Sequence, residues 1–336
     1  MVSIVLVTYN RAKRLRLSIR DILNQTFKDF ELIICDDCSP DDTEEVCRKY
    51  EALDNRIRYF RHDQNRQMPS NLNFGIQQAR YEFVAILHDG DRFRRDLIEQ
   101  WYQAISSHDN VGVVFNTLAD SDSDDRMVQI SQQYEEGVIT KENLLYNVYF
   151  RRPHFDSPIY GEAMVRKSMI EKCGYLKEEF GFYADVDLWM EILHTHDAYY
   201  CADPLIKTPL KSFQPQEFED DIVKHNIYLL NMHRKQRLKA FRGHPSKLVA
   251  EMAYYYAAVI FHITYILTLV VKNFSFQYFI SARRKFQTHF YLLPIWFGLL
   301  LTYPLVRPLL RNLIAPRSAP KIDDELARKA ELKFQR

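Results

Sequence analysis

The feature that most constrains this chain is a rhythm in its first 118 residues, where unbroken apolar runs alternate with stretches of helical period. Val2–Val7 is apolar except for Ser3, and Phe30–Cys35, Ile57–Phe60, Phe83–Leu87 and Val111–Phe115 repeat the pattern. Between them, Leu15, Ile19, Ile22 and Leu23 fall on one stripe of a helix over 11–25. A second helix runs from a cap at Ser39 or Asp41 to about Tyr50. A third carries Leu72, Ile76 and Ala79, and a fourth spans 95–106. Strands without polar alternation are buried on both faces. Their alternation with helices therefore predicts an α/β fold with a mostly parallel sheet flanked by helices. Ligands of such sheets bind beyond the carboxyl ends of the strands.

Two acidic clusters sit at such ends: Asp36-Asp37 after the second run and Asp89-Gly90-Asp91 after the fourth. In a parallel sheet both face the same edge, where they repel unless a cation or ligand donors lie between them. Asp89 and Asp91, separated by a glycine that lets the backbone turn tightly, could hold one hard divalent ion through oxygen. A polar loop following a strand accounts for the same residues equally well at this point. The acidic run over 119–126 lacks the turn glycine and terminal glutamate of a calcium loop and reads as solvated.

Motifs in order along residues 1–210 resemble the family 2 glycosyltransferases of the GT-A (Rossmann-like) fold. Val2-Ser3-Ile4-Val5-Leu6-Val7-Thr8-Tyr9-Asn10-Arg11 is similar to that family's opening strand and nucleotide loop. The segment from Gln25 to Ser39 is similar to its second strand and "DDxS" turn, and Asn71-Leu72-Asn73-Phe74-Gly75 to its "N-x-G" helix. His88-Asp89-Gly90-Asp91 occupies its D-x-D position, and Tyr183-Ala184-Asp185-Val186-Asp187-Leu188-Trp189 resembles its "ED-x-DLW" segment.

The resemblance implies transfer of a sugar from a nucleotide-diphosphate donor, with inversion, to a hydroxyl of a glycan or lipid-linked (polyprenyl) glycan. It implies nucleotide contacts at Thr8, Tyr9, Asn10, Asp36, Asp37, Asn73 and Asp89. Tyr9 would stack on the base, and Asp37 would accept a base N–H as in users of uridine-diphosphate sugars. Mg²⁺ or Mn²⁺ would be held by Asp89 and Asp91, and Asp185 would be the general base. Asp187 is read as a helix cap or scaffold and Trp189 as core. The sequence departs from the family at Ala184, where an acid usually precedes the base, and at Gly90, where many relatives carry a third acid. It departs again at Lys211-Ser212-Phe213-Gln214, where relatives often carry a histidine. His88 is placed to touch the site but, as one histidine beside a strand end, reads as structural; His154, His194 and His196 are given no role. These departures leave a second reading, a non-catalytic sugar-nucleotide-binding scaffold on the same fold.

Charge and hydropathy divide the chain. The net charge is +1, but residues 251–322 carry eight Lys/Arg against one acid. Ala250–Val271 and Phe290–Val306 are strongly hydrophobic. Spanning both would put Lys272, Arg283, Arg284 and Lys285 on the outer side, against the usual placement of cations. We therefore expect a catalytic domain over 1–215, with a nucleotide-sugar half over about 1–118 and an acceptor half over about 119–215. A helical, basic and aromatic region over 216–336 would lie on the membrane surface at the inner face of the cell membrane. Nucleic acid is an unsuitable partner, because the basic residues lie among apolar runs while the sheet half is acidic; homo-oligomer formation is left open. Five cysteines, with Val2–Val7 reading as a strand and not as a leader, suggest a reduced cytoplasmic protein. The Cys35-x-x-Cys38 pair has no matching second pair to make a metal site.

Overall fold

Strand β1 (Val2–Thr8) is buried at all seven positions. It lies between β2 (Phe30–Asp36) and β4 (Phe83–His88), parallel to both, and β3 (Ile57–Arg61) continues the parallel order outside β2. These are the Val- and Ile-rich runs of the sequence, and burial on both faces is what such runs require. In the computed structural model, residues 1–122, 124–146, 159, 161–209, 232, 235–236, 239 and 330–334 are described. The chain divides into two units. The first comprises Met1–Val148, Ser157–Phe213 and Ala319–Arg336, and the second Tyr149–Asp156 and Gln214–Ser318. The last residues thus return to the first unit, where the sequence reading kept 216–336 together. The sheet and its helices all lie in the first unit.

The helices α1 (Ala12–Leu23), α2 (Thr43–Leu53), α3 (Met68–Gln78) and α4 (Leu97–Ser106) fill the connections between parallel strands. The stripe read from sequence on α1 is the one that packs. Leu15, Ile19 and Ile22 are fully enclosed, in one cluster with Ile4 and Leu6 of β1 and Trp101 of α4. Each such side chain contributes roughly 1.5–3 kcal/mol relative to exposure. Asp41 accepts the Ala12 N–H at 2.9 Å and also bonds Thr43, so it fastens the start of α1 and the entry to α2 together.

Beyond β4 the sheet becomes mixed: after β3-β2-β1-β4 come β9 (Ala163–Arg166), β6 (Val111–Ser121), β10 (Asp197–Pro209) and β5 (Arg92–Phe93). Strand β9 runs antiparallel to both β4 and β6, and β10 is parallel to β6. The two-residue β5 pairs antiparallel with β10, directly after the Asp89-Gly90-Asp91 turn. Strand β7 (Met127–Ser131) pairs with β6, and β8 (Gly137–Ile139) with β10. Helices α5 (Lys141–Tyr146), α6 (Lys167–Cys173) and α7 (Ala184–Leu193) complete the unit.

Three boundaries differ from the sequence reading. The loop expected over 119–126 is shorter, because β6 continues to Ser121 with β10 paired beside it through Pro209. Helix α4 begins at Leu97 and not at 95. Helix α7 begins at Ala184, so Asp185 stands in its first turn and not ahead of it. Trp189 is core, as expected. Residues 330–334 are helical and lie on β6 and β7, with Ala330 packed among Ala119, Met127 and Ile130. Among the described residues no helix is long and apolar enough to cross a membrane. The hydrophobic runs over 250–271 and 290–306, His154 and the segment 211–214 lie outside the described residues.

Candidate active site

The carboxyl ends of β1, β2 and β4 meet at one edge, and backbone pairing draws their loops together. The Asp37 N–H donates to the Thr8 carbonyl at 3.0 Å, and the Thr8 hydroxyl donates to the Asp89 carboxylate at 2.6 Å. Tyr9 stands out from this edge, 46% exposed. Asn10 follows with a φ of +55° and gives its N–H to the Ser39 hydroxyl. Asp37 accepts the N–H groups of Arg66 (2.7 Å) and Gln67 (2.9 Å), which fastens the β3–α3 loop beside Tyr9's strand.

Asp36 and Asn73 behave differently from the ligand contacts expected of them. Asp36 is fully enclosed: one carboxylate oxygen accepts the Ser39 N–H and the other the Tyr59 hydroxyl, with Arg61 at 3.5 Å. The Asn73 amide exchanges two hydrogen bonds with the backbone of Leu176, at 2.8 and 3.0 Å. Both side chains are spent on internal struts because their polar atoms find protein partners before they reach the open edge. Cys35 is buried, and that burial pushes its thiol up to about 12. A thiolate is therefore disfavoured in the C-x-x-C segment.

Asp89 and Asp91, one residue apart, face different partners. Asp89 accepts from Thr8 and lies 3.2 Å from Arg11. Burial raises its carboxyl above the ordinary value against the pull of those two donors. Asp91 hydrogen-bonds Glu162 and Thr208, and burial carries it to about 6. Glu162 is buried and raised well above the usual range, by that burial and then by the Asp91 charge. His88, Asp91 and Glu162 each bring a ligating atom to a point where all three lie within 4.8 Å of one another. Asp89 is turned to a hydroxyl and a guanidinium, whereas Asp91's companions are His88 and Glu162. The set of two carboxylates and an imidazole suits a divalent cation.

The remaining acid, Asp185, is 7% exposed. Burial pushes its carboxyl up to about 6, against the backbone N–H groups of Val186, at 2.7 Å, and of Gly161. Gly161 and Glu162 are consecutive residues, the first donating to Asp185 and the second bonding Asp91. Asp187 is buried with Lys177 at 3.9 Å, a scaffold position as the sequence suggested. Glu162 went unrecognised in the sequence because it precedes β9, which lies between β4 and β6 in space but follows both in the chain, and His88 was read as structural. The one local signal was Gly161, whose φ is +66° and whose Cβ position would overlap His88 Cε1.

Residues 3–174 match the model of glycosyl transferase family 2, about half of the chain. The chain belongs to that family. Asp185 lies beyond the matched stretch. Among relatives of this family 2 chain is the GalNAc(5)-diNAcBac-PP-undecaprenol beta-1,3-glucosyltransferase of Campylobacter jejuni, 28% identical over 200 residues, which cover 59% of this chain and 61% of that protein. The alignment spans less than two-thirds of that relative's length. Two solved structures share the fold. TarS of S. aureus, in complex with UDP-GlcNAc, superposes with a TM-score of 0.55 at 18% identity, covering 70% of this chain and 66% of its own. The mannosyltransferase PcManGT of Pyrobaculum calidifontis, in complex with GDP-Man and Mn²⁺, gives 0.51 at 16% identity, covering 84% and 82%. The expected fold class, GT-A, is shown by these matches.

Proposed function

We propose that this chain is a metal-dependent, inverting glycosyltransferase. It moves a sugar from a nucleotide diphosphate, a uridine diphosphate for preference, to a hydroxyl of a lipid-linked glycan. The observation that carries the reading is that consecutive residues of a family 2 chain reach both acids, Gly161 donating its N–H to buried Asp185 and Glu162 bonding Asp91. Tyr9, exposed at the end of β1, stacks on the nucleobase. Asp37, with Asn10 beside it, presents an acceptor for the base N–H, and Thr8 with Asp89 borders the ribose. Asp36 and Asn73 keep the loops in place and do not touch the ligand.

Asp185 accepts the proton of the acceptor hydroxyl as that oxygen attacks the anomeric carbon, while the bond from that carbon to the diphosphate oxygen breaks on the opposite face. The sugar leaves with inverted configuration and the nucleoside diphosphate departs. A carboxyl held near 6 is ionised at neutral pH yet basic enough to take a proton in the transition state. A divalent cation held by Asp91 supplies charge neutralisation for the leaving diphosphate when bound. A lipid-linked acceptor is supported by the C. jejuni relative, whose name carries an undecaprenol-linked glycan. Such an acceptor is reached from the inner face of the membrane by a peripherally associated protein.

The test is donor turnover by the full chain in mild detergent, with uridine-, guanosine- and thymidine-diphosphate sugars, each with Mn²⁺ and with chelator, in the presence and absence of polyprenyl-linked glycans. Chelator-sensitive consumption of one donor is the expected result. Nucleotide binding by calorimetry without turnover of any donor, with every acceptor tried, would favour the scaffold reading instead.

A further inference from the structure

The metal assignment above rests on one residue, Asp91, and the structure assigns it two companions that make it selective. We propose that His88 and Glu162 complete the protein's ligand set with Asp91, and that the imidazole nitrogen makes the site a Mn²⁺ site in preference to Mg²⁺. The inference rests on the metal-dependent reading and deepens it.

The three ligating atoms lie within 4.8 Å of one another. Around a cation with ligands at about 2.0–2.1 Å in octahedral geometry, neighbouring ligands are about 3 Å apart and opposite ones about 4.2 Å. The observed grouping, within 4.8 Å, lets the three side chains close onto such an ion by side-chain adjustment. The site is also built to admit His88. Gly161 has a φ of +66°, and a Cβ there would overlap His88 Cε1 and lie 3.2 Å from Nδ1, so only glycine leaves the ring where it is. Glu162, the next residue, is enclosed by protein, bonds Asp91, and receives the His88 backbone N–H at 3.4 Å. One dipeptide at the entrance to β9 thus places a carboxylate beside Asp91 and makes room for the His88 imidazole. Three protein ligands leave three octahedral positions for diphosphate oxygens and water.

The donor set decides the metal. Mg²⁺ favours oxygen alone and binds through one or two carboxylates, phosphates and water. Imidazole suits transition metals, whereas carboxylates serve Mg²⁺ and Mn²⁺ alike. A mixed set of one nitrogen and two carboxylates therefore discriminates for Mn²⁺. Cys38 and the acids over 119–126 join no such cluster among the described residues.

The experiment is Mn²⁺ binding to the full chain, read by electron paramagnetic resonance with and without UDP. It is accompanied by electron spin-echo modulation, which detects a nitrogen directly bound to manganese. The expected result is ¹⁴N modulation in the wild-type protein, its loss in His88→Gln with Mn²⁺ still bound, and a Mn²⁺ affinity weakened about tenfold or more in Glu162→Gln. Displacement of Mn²⁺ by Mg²⁺ should need a large excess in the wild type and a smaller one in His88→Gln. The wild-type spectrum needs no variant to fold. Mn²⁺ bound without nitrogen modulation would overturn the inference and leave the metal-dependent reading standing. Absence of Mn²⁺ binding even with UDP would overturn both.

Discussion

Gly161 offers a controlled perturbation, because a second glycine, Gly174, shares its backbone conformation but not its surroundings. Gly161 has a φ of +66° and Gly174, which closes α6, a φ of +80°. Alanine in that left-handed region costs about 1–2 kcal/mol wherever it is placed. A Cβ at Gly174 meets nothing within 4 Å, whereas at Gly161 it runs into the His88 ring. That ring is the far end of a flexible side chain, so it yields by swinging away and not by pushing the sheet apart. Gly161 also gives its N–H to Asp185. Urea denaturation should therefore show Gly161→Ala and Gly174→Ala losing similar stability, about 1–2 kcal/mol each. Donor turnover should separate them: a displacement of about 1 Å in a catalytic group costs on the order of a hundredfold, so Gly161→Ala falls by that order while Gly174→Ala keeps its rate. Equal turnover by the two folded variants would refute the placement of His88, Gly161 and Asp185 in one site.

Other consequences follow from single residues. Asp185 is held near 6 in the folded protein against about 3.9 in an unfolded chain, so the folded state binds the extra proton between those values. Its contribution to stability is present below about pH 4 and is lost as pH rises to about 6, by at most about 3 kcal/mol. Urea midpoints across that range should fall with pH in the wild type and fall less in Asp185→Asn, while wild-type turnover rises through pH 6. Tyr9→Ala should weaken nucleotide binding by about 1–3 kcal/mol, the worth of a base stacked on an aromatic ring, with no change in the urea midpoint. Glu331 accepts from buried Lys207 at 3.3 Å and from the Met127 N–H at 3.1 Å. Glu331→Ala should cost about 1–3 kcal/mol by leaving these donors short of a partner, measured by urea denaturation.

The parallel half of the fold was legible in the sequence because its strands are unbroken apolar runs. Their burial on both faces calls for a parallel sheet covered by helices, and β1, β2, β3 and β4 stand where those runs lie. The mixed half was harder to read. Strand β9 is four residues long and inserts between β4 and β6 by a long-range pairing that no local period announces. The candidate site divides along the same line. Asp37, Asp89 and Asp91 were noticed as acids at strand ends, and their proposed roles, with that of Thr8, came from the family resemblance. Asp36 stands at the same kind of position but turns inward, because Tyr59 and Ser39 offer it partners a sequence does not display. Glu162 comes beside His88 and Asp91 only through the β4–β9 pairing, so that grouping became visible only with the fold.

Central to the proposed mechanism is Asp185, which removes the acceptor proton at a site that binds a nucleotide sugar. The most direct test compares wild type and Asp185→Asn in the same preparation, measuring transfer or donor turnover together with nucleotide affinity by calorimetry. Loss of a general base costs about 10²–10⁴-fold in rate, so turnover should fall by that order while nucleotide affinity stays at the wild-type value. Turnover by a folded Asp185→Asn protein at the wild-type rate would contradict the account.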